Sequence, residues 1–478
     1  MPAINLLAHS YKMPEDQFCA MELINMYPII NQQAQGGKSD ILLVSDPGYS
    51  VYQTLSGTIG IRGMLSHDDV LYVITENSFY TINTSGTATL RGTINTYNGH
   101  VSLIANGTQI MITDGTNGYV YTPATTTLAQ ITDIDFPATA PSTLTYQDGY
   151  AAFVVQSTNT LYLSDLDDFS SYSSLLTTGI SSVPNRLVGC ISHLLELWLF
   201  TDNRAEIWSN TGASPFPFER RSNSLINMGL KAPKSLLSLS DRLIWLSQSE
   251  YGHVSLTQAQ GYNISTVSDE AFNSEIQTYD EIEDAFAFSY SDRGHVFYQI
   301  TFPTPGITWC LDTSNGILHK KTSRNVFGTF GRHFANCYAY FNNKHLVGGY
   351  NSNTIYEMSP SFFDENGTPM EREVIFRTIS EEQKRMTCSY LQLDMQVGVG
   401  LTTGQGSDPQ VMLQYSKDGG KTYSAELWRS AGPIGEYSRR VKWNRHGESR
   451  NYTWRIRMTD PVKWGLFNII VGIKRNET

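Results

Sequence analysis

Along most of this chain apolar and polar residues alternate in paired runs, each pair broken by a polar turn, and the unit recurs about every 40 to 50 residues. The first pair, Val70 to Asn83, reads VLYVIT then SFYTIN. Similar pairs follow at Thr108 to Pro123, Tyr150 to Asp165, Leu194 to Asn210, Arg242 to Gln258, His295 to Asp312 and Lys344 to Ser359. Period-two alternation predicts strands, and short turns rich in Asp, Asn, Gly and Ser predict antiparallel hairpins. A further strand-like run leads into each hairpin, as GIRGMLSH does before the first and HFANCYAYF before the last. Units of this size bury an apolar face only by stacking on one another, and the four-stranded propeller blade is the all-β solution. The expectation is an all-β chain with a six- or seven-bladed β-propeller, seven blades being favoured.

Two regions depart from the repeat. Residues 1–50 carry MELINMYPII and DILLVSDPGYS, in which Pro28 and Pro47 restrict strands to edges and turns. From residue 379 six strand-like runs separated by Gly-rich turns predict a β-sandwich of about 100 residues. The predicted division is therefore 1–50 pairing with a platform, 51–378 as propeller, and 379–478 as a β-sandwich platform that includes the N-terminal segment. Helix is confined to two short candidates, PEDQFCAMEL and SEEQKRM.

The 478 residues carry a net charge of −11, unevenly placed. From Ile379 onward 15 Lys and Arg face 10 Asp and Glu, a balance of +5 that leaves −16 for the first 378 residues. Such a field disfavours wrapping of nucleic acid while letting a duplex pass without adhering. Five scattered cysteines, Cys19, Cys190, Cys310, Cys337 and Cys388, form no CxxC pair and suit a reduced chain made in a cytoplasm. No secretory signal and no apolar stretch of about 18 residues is visible, so no membrane span is expected.

Candidate chemistry is sparse. Ser416, Asp418, Gly420, Thr422 and Tyr423 in YSKDGGKTY resemble the Asp-box found on propeller hairpins, where the carboxylate binds turn backbone and glycine takes a positive φ, so Ser416, Asp418, Gly419 and Gly420 are expected to form a structural turn. GKT within it is not a phosphate loop, because Tyr415 stands where that loop needs glycine. Glycoside hydrolysis needs two flanking carboxylates, and Asp165, Asp167 and Asp168, or Asp280, Glu281, Glu283 and Asp284, fall in polar connections. No HExxH, GxSxG or histidine pair at ligand spacing occurs, and Cys310 with His319 is too few for a metal. No catalytic residue, metal or cofactor is predicted. A basic run holds Arg439, Arg440, Lys442, Arg445, Arg455 and Arg457, interleaved with aromatics, as interface- or DNA-facing candidates. In YTWRIRM, Arg455 and Arg457 fall on one strand face and Trp454, Ile456 and Met458 on the other.

The two ends of the chain resemble the packaged-DNA stabilisation proteins, the tail hub or nozzle family of short-tailed bacteriophages. The likeness lies in INMYPII and KSDILLVSDPGYS, then in QYSKDGG, GPIGEYSRRVKWNRHG and RMTDP. Ile29 and Lys417 stand where that pattern carries acidic residues. The resemblance implies a virion protein and not an enzyme: a homo-hexameric ring beneath the portal and head-to-tail adaptor. Such a ring closes the channel over packaged DNA, holds a tail needle or plug and tailspikes or fibres, and conducts DNA without sequence-specific binding. The alternative reading is a carbohydrate-active propeller, either a sialidase-like hydrolase or a lectin.

Overall fold

A computed structural model describes residues 11–12, 20–31, 39–139, 141–155, 158–180, 186–222, 224–325, 328–381 and 384–475. Each sequence repeat forms one antiparallel sheet. The first blade consists of Ile61–His67, Val70–Thr75, Ser78–Asn83 and Ala88–Thr93, paired in that order. Its second strand is buried on both faces, with Leu71, Tyr72, Val73 and Ile74 at 3% exposure or less, because neighbouring blades cover both sides. The fourth strand carries ATLRGT and lies largely in solvent.

Seven such sheets follow one another in the chain, their inner strands being Ile61–His67, Ser102–Ala105, Thr145–Gln147, Leu187–His193, Leu237–Leu239, Phe286–Asp292 and Ala335–Phe341. Each adjoining pair of blades shares a separate apolar core. Tyr72, Phe79, Ile112 and Tyr121 fill the first seam, and Trp198, Phe200, Leu243 and Trp245 fill the fourth. Ring closure is visible in the last core, where Ile61, Val73 and Ile82 of blade one pack on Phe341, Leu346 and Ile355 of blade seven.

Blade seven takes its outer strand from the other end of the chain. Gly48–Thr54 pairs antiparallel with Thr354–Ser359, so the segment straddling residue 50 belongs to the propeller. Ahead of it, Met26–Ile30 and Ile41–Ser45 form a hairpin whose second strand joins Gly465–Arg475 of the sandwich. Residues 20–23 of the expected helix PEDQFCAMEL belong instead to a strand, Ala20–Ile24; residues 14–19 lie outside the described chain. Leu23 opposite Val374 and Ile24 beside Lys320 supply partners that override the local helical composition. None of the described residues of SEEQKRM is helical either, residues 382–383 being outside the described chain. Among the described residues the α-helix is Glu270–Ile276, between blades five and six, where the Asp269 side chain accepts from the Phe272 amide.

The sandwich stacks two sheets on a core containing Trp443, Trp454 and Trp464. One sheet orders Met26–Ile30, Ile41–Ser45, Gly465–Arg475, Met386–Met395 and Val441–Ser449. The other runs Ala20–Ile24, Arg372–Ile375, Asn451–Met458, Gln410–Ser416 and Leu427–Ser430, and it continues directly from blade six through Ala20–Ile24. Propeller and platform are thus joined by a shared sheet as well as by covalent connection.

Candidate functional site

The chain passes from sandwich to propeller at Asp46 and Pro47, and buried charge gathers there. His319 and Lys321 lie on one face of Ile317–Arg324, the outer strand of blade six, facing inward. The Asp46 carboxylate lies 3.2 Å from His319 Nε2 and 3.9 Å from Lys321 Nζ. Lys321 also donates to the hydroxyls of Tyr290 (3.1 Å) and Tyr49 (3.5 Å). Burial alone would raise the Asp46 pKa, but Lys321 and His319 more than reverse this and hold it at about 2. For His319 burial acts downward, and Asp46 overcomes it, pushing the imidazole up to about 10. Burial drives the Tyr49 and Tyr290 hydroxyls well above their ordinary range. Glu365 accepts from Ser323 Oγ at 2.7 Å and is pushed up to about 7 by burial.

Backbone bonds fasten the same junction. Asn25 donates its side-chain amide to the carbonyls of Thr322 (3.0 Å) and Glu371 (2.7 Å), and it accepts from the Thr322 amide. The guanidinium of Arg372, wholly buried, donates to the Val462 carbonyl at 2.6 Å and to that of Asp460. These contacts tie the N-terminal segment, blade six and the connector after blade seven to one another. No sequence motif marked this cluster. Its only local signal is polar residues at core-facing positions, His319, Lys321 and Ser323 in ILHKKTSR.

At the Asp-box turn the Asp418 carboxylate accepts from the amides of Lys421 and Thr422 at 3.0 Å each, and from the Ser416 hydroxyl at 2.6 Å. Hydrogen bonds from the Ser416 and Thr422 side chains depress its pKa strongly. Gly419 and Gly420 have φ of 81° and 99°. The turn uses its polar atoms on itself, and the Tyr423 ring after it receives the Arg455 guanidinium at 4.1 Å.

The six basic candidates separate into two groups. Arg455 and Arg457 are half-buried and matched within the chain: Arg457 pairs with Glu371 and Glu373 at 2.6 Å and Glu426 at 3.3 Å, and Arg455 with Glu373 at 3.4 Å. Lys442 lies 3.9 Å over the Tyr390 ring. Arg439, Arg440 and Arg445 are exposed; Arg439 approaches Glu436 at 3.5 Å, and the other two have no carboxylate partner among the described residues. Around this exposed group stand Ile434 (59% exposed) and Tyr437 (73%), and Trp428 (53%) projects from the sheet-edge strand Leu427–Ser430. This end of the sandwich offers apolar area and unmatched positive charge together.

The carboxylate clusters serve local structure. Asp165 accepts from Ser171 Oγ, Asp168 from Ser170 and Gln109, and Glu283 pairs with Lys231 at 2.7 Å. Cys310 and His319 are cross-strand neighbours in blade six. Among the described residues no three His, Cys, Asp or Glu side chains gather in a way that could hold a metal ion. No described helix is long and apolar enough to cross a membrane.

Two family models match in succession: "Bacteriophage P22 Gp10, beta-propeller" over residues 3–362 and "Bacteriophage P22 Gp10, beta-sandwich" over residues 371–474. None of the curated proteins compared with the chain matches it. Among solved structures it is similar to the extracellular domain of BT4673 from B. thetaiotaomicron, with TM-score 0.44 and 12% identity over 66% of this chain and 40% of that one. The Neurospora crassa Pan2 WD40 domain gives TM-score 0.42 and 8% identity over 66% of this chain and 95% of that domain. The chain therefore spans less than half of the first of these structures.

Proposed function

The chain belongs to the bacteriophage P22 Gp10 family of structural tail-hub proteins, and on that premise we propose that copies of it form a hexameric ring that closes the portal channel over packaged DNA. In this reading the ring docks beneath the adaptor and portal, carries a needle or plug and tailspikes or fibres, and conducts DNA at ejection. The observation that carries it is the sandwich end bearing Trp428, Ile434 and Tyr437 beside Arg439, Arg440 and Arg445. A cyclic ring needs one patch to meet a different patch on the next subunit, and an apolar, cationic patch on a chain otherwise negative supplies such a pair. The buried Asp46 cluster supports the mechanical part, since it holds propeller and platform as a single body under load. The net negative charge of the propeller supports passage of DNA without retention.

The test is assembly. Mixed with its adaptor, the native protein is expected to form rings of sixfold symmetry in electron micrographs. Tyr437→Ala with Arg440→Glu is expected to leave folded monomers that elute separately. Rings of undiminished yield from that variant, or a native chain that stays monomeric with adaptor, would refute the reading.

A further inference from the structure

The axial channel of the propeller has a mixed apolar and polar wall and is cationic at one end. A cavity of ≈ 330 Å³ is lined from all seven blades, with Met64, Leu103, Leu144, Ile191, Leu236 and Phe288 among its wall residues. Where the inner strands begin, a second cavity of ≈ 370 Å³ shares Arg62, His100, Lys234 and Asn336 with the first and adds Arg332 and Asp284. Two guanidinium groups and one ammonium thus meet one carboxylate, in a protein whose net charge is −11.

None of the three cations has an ion pair among the described residues. Arg62 is buried and spends its donors on neutral oxygens: the carbonyls of Gly99, Glu76, Thr96 and Asn98 at 2.6–2.7 Å and Thr96 Oγ1 at 2.9 Å. It is therefore held in place without a direct ion pair, the Asp114 carboxylate reaching it only through Thr96 Oγ1, which donates to Asp114 at 2.7 Å. Lys234 has no hydrogen bond among the described residues. Arg332 lies on the Tyr350 ring at 3.8 Å and near Phe286 at 6.0 Å. Asp284 commits one oxygen to the amide and hydroxyl of Thr304, leaving the other buried and unpartnered. The His100 ring packs on Phe286 at 4.2 Å. Burial, then Lys234, Arg332 and Arg62 in turn, lower its pKa to about 3, so all three cations converge on a neutral imidazole. Burial and Arg62 likewise depress Lys234.

Positive charges crowded in a half-enclosed polar cavity repel one another and lose hydration, a cost that an oxyanion removes through charge-assisted hydrogen bonds. We infer that this mouth is a binding site for one small oxyanion of phosphate or carboxylate type, held by Lys234 and Arg332 with the field of Arg62 behind it. The cavity admits a phosphate or a short carboxylate and is far too small for a nucleic-acid duplex. Arg62 belongs to blade one, Lys234 precedes the inner strand of blade five, and Arg332 leads into blade seven. A bound oxyanion therefore ties together blades on different sides of the ring.

Calorimetric titration of the full-length protein with sodium phosphate, and separately with sodium acetate, at constant ionic strength and neutral pH tests the site. Saturable binding of one anion per chain is expected, weakened at least about tenfold by Lys234→Met and by Arg332→Gln. Saturation by phosphate alone identifies a phosphate site, and saturation by acetate alone identifies a carboxylate site. A second measurement needs no variant: the bound anion should slow acetylation of Lys234, read by mass spectrometry, and leave the exposed Lys421 unaffected. No saturable binding of either anion, binding unchanged in both folded variants, or Lys234 acetylation indifferent to the anion would each overturn the inference.

Discussion

Asp46 and His319 face each other at 3.2 Å with neither side chain more than 1% exposed, at the single point where the N-terminal segment leaves the sandwich for the propeller. The contact joins residues 273 positions apart, and it fixes the outer strand of blade six to the strand that closes blade seven. Removing one member leaves Lys321 and His319 buried without their counter-charge. Asp46→Asn should destabilise the protein by about 3–5 kcal/mol, as breaking a buried pair from one side does. Urea unfolding followed by tryptophan fluorescence measures this; a loss below about 1 kcal/mol would show that the cluster does not hold the junction.

The same pair sets a pH dependence whose sign can be worked out. Native His319 keeps its proton until about 10, whereas the unfolded chain releases it near 6.5, so its stabilising share is complete below 6.5 and disappears as pH rises through about 10. Native Asp46 stays ionised down to about 2 against 3.8 unfolded, so its share is present above 3.8 and disappears as pH falls through about 2. His333, kept neutral by burial and by Lys321, adds to the acid loss below 6.5. Unfolding free energies at stepped pH should fall between 6.5 and 10, and His319→Gln should flatten that decline. An identical slope in the variant would remove His319 as its source.

Glu365 works against the fold on the alkaline side. Burial lifts its pKa from 4.5 to about 7, so raising pH between those values favours the unfolded chain, which ionises first. Glu365→Gln keeps the bond from Ser323 Oγ without the charge and should raise stability above pH 7, by an amount that vanishes near pH 4.5. The measurement is the variant's unfolding midpoint at both pH values; a gain equal at the two would contradict the assignment.

Gly60 marks the seam between the first and last blades. A Cβ there would lie 2.1 Å from the Tyr350 carbonyl oxygen and 2.6 Å from that of Gly349, both backbone. Gly60→Ala should therefore cost about 1–3 kcal/mol by forcing the seam apart. Amide hydrogen exchange on Ile61–His67 and on Lys344–Gly349 should accelerate in the variant more than exchange in the sandwich. Uniform exchange would place the damage elsewhere.

The hairpin tip of blade four bears Leu194 and Leu195 at φ of 50° and 65°, a left-handed pair that blades one, three and seven fill with Asp, Asn or Gly. Both are exposed, so their side chains give back little by burial. Replacing them with Asn and Gly, the residues that suit this turn, should raise stability by about 1–2 kcal/mol. Thermal melting tests this, and a lower midpoint would mean that the leucines stabilise the tip by contacts stronger than the strain.

Most of the strands could be read from the sequence because their information is local. A hairpin such as Val70 to Asn83 announces itself by alternation and by the turn between its halves, and all six runs after residue 379 became strands. Local reading failed at Ala20–Ile24, where helical composition yielded to partners on Val374 and Lys320. It also passed over Arg372–Ile375, four residues too short to show a period, and over Glu270–Ile276, whose signal was Asp269 as cap with Ala271, Phe272 and Ile276 on one side. Arg455 and Arg457 were placed on the right strand face, but their neutralisation by Glu371, Glu373 and Glu426 depends on a neighbouring strand that local reading had not identified.

By itself, then, the sequence determined the repeating unit, the all-β class and the family, since period-two patterning, turn residues and end motifs are properties of contiguous residues. Only the tertiary structure decided that Gly48–Thr54 closes blade seven, that Asp46 meets His319 and Lys321, and that Arg62, Lys234 and Arg332 converge on one end of the channel. Each of these joins residues far apart in the chain, and the energies that select them, strand pairing, burial of Asp46 against His319 and Lys321, and packing of the blades around one axis, exist only once the ring has closed.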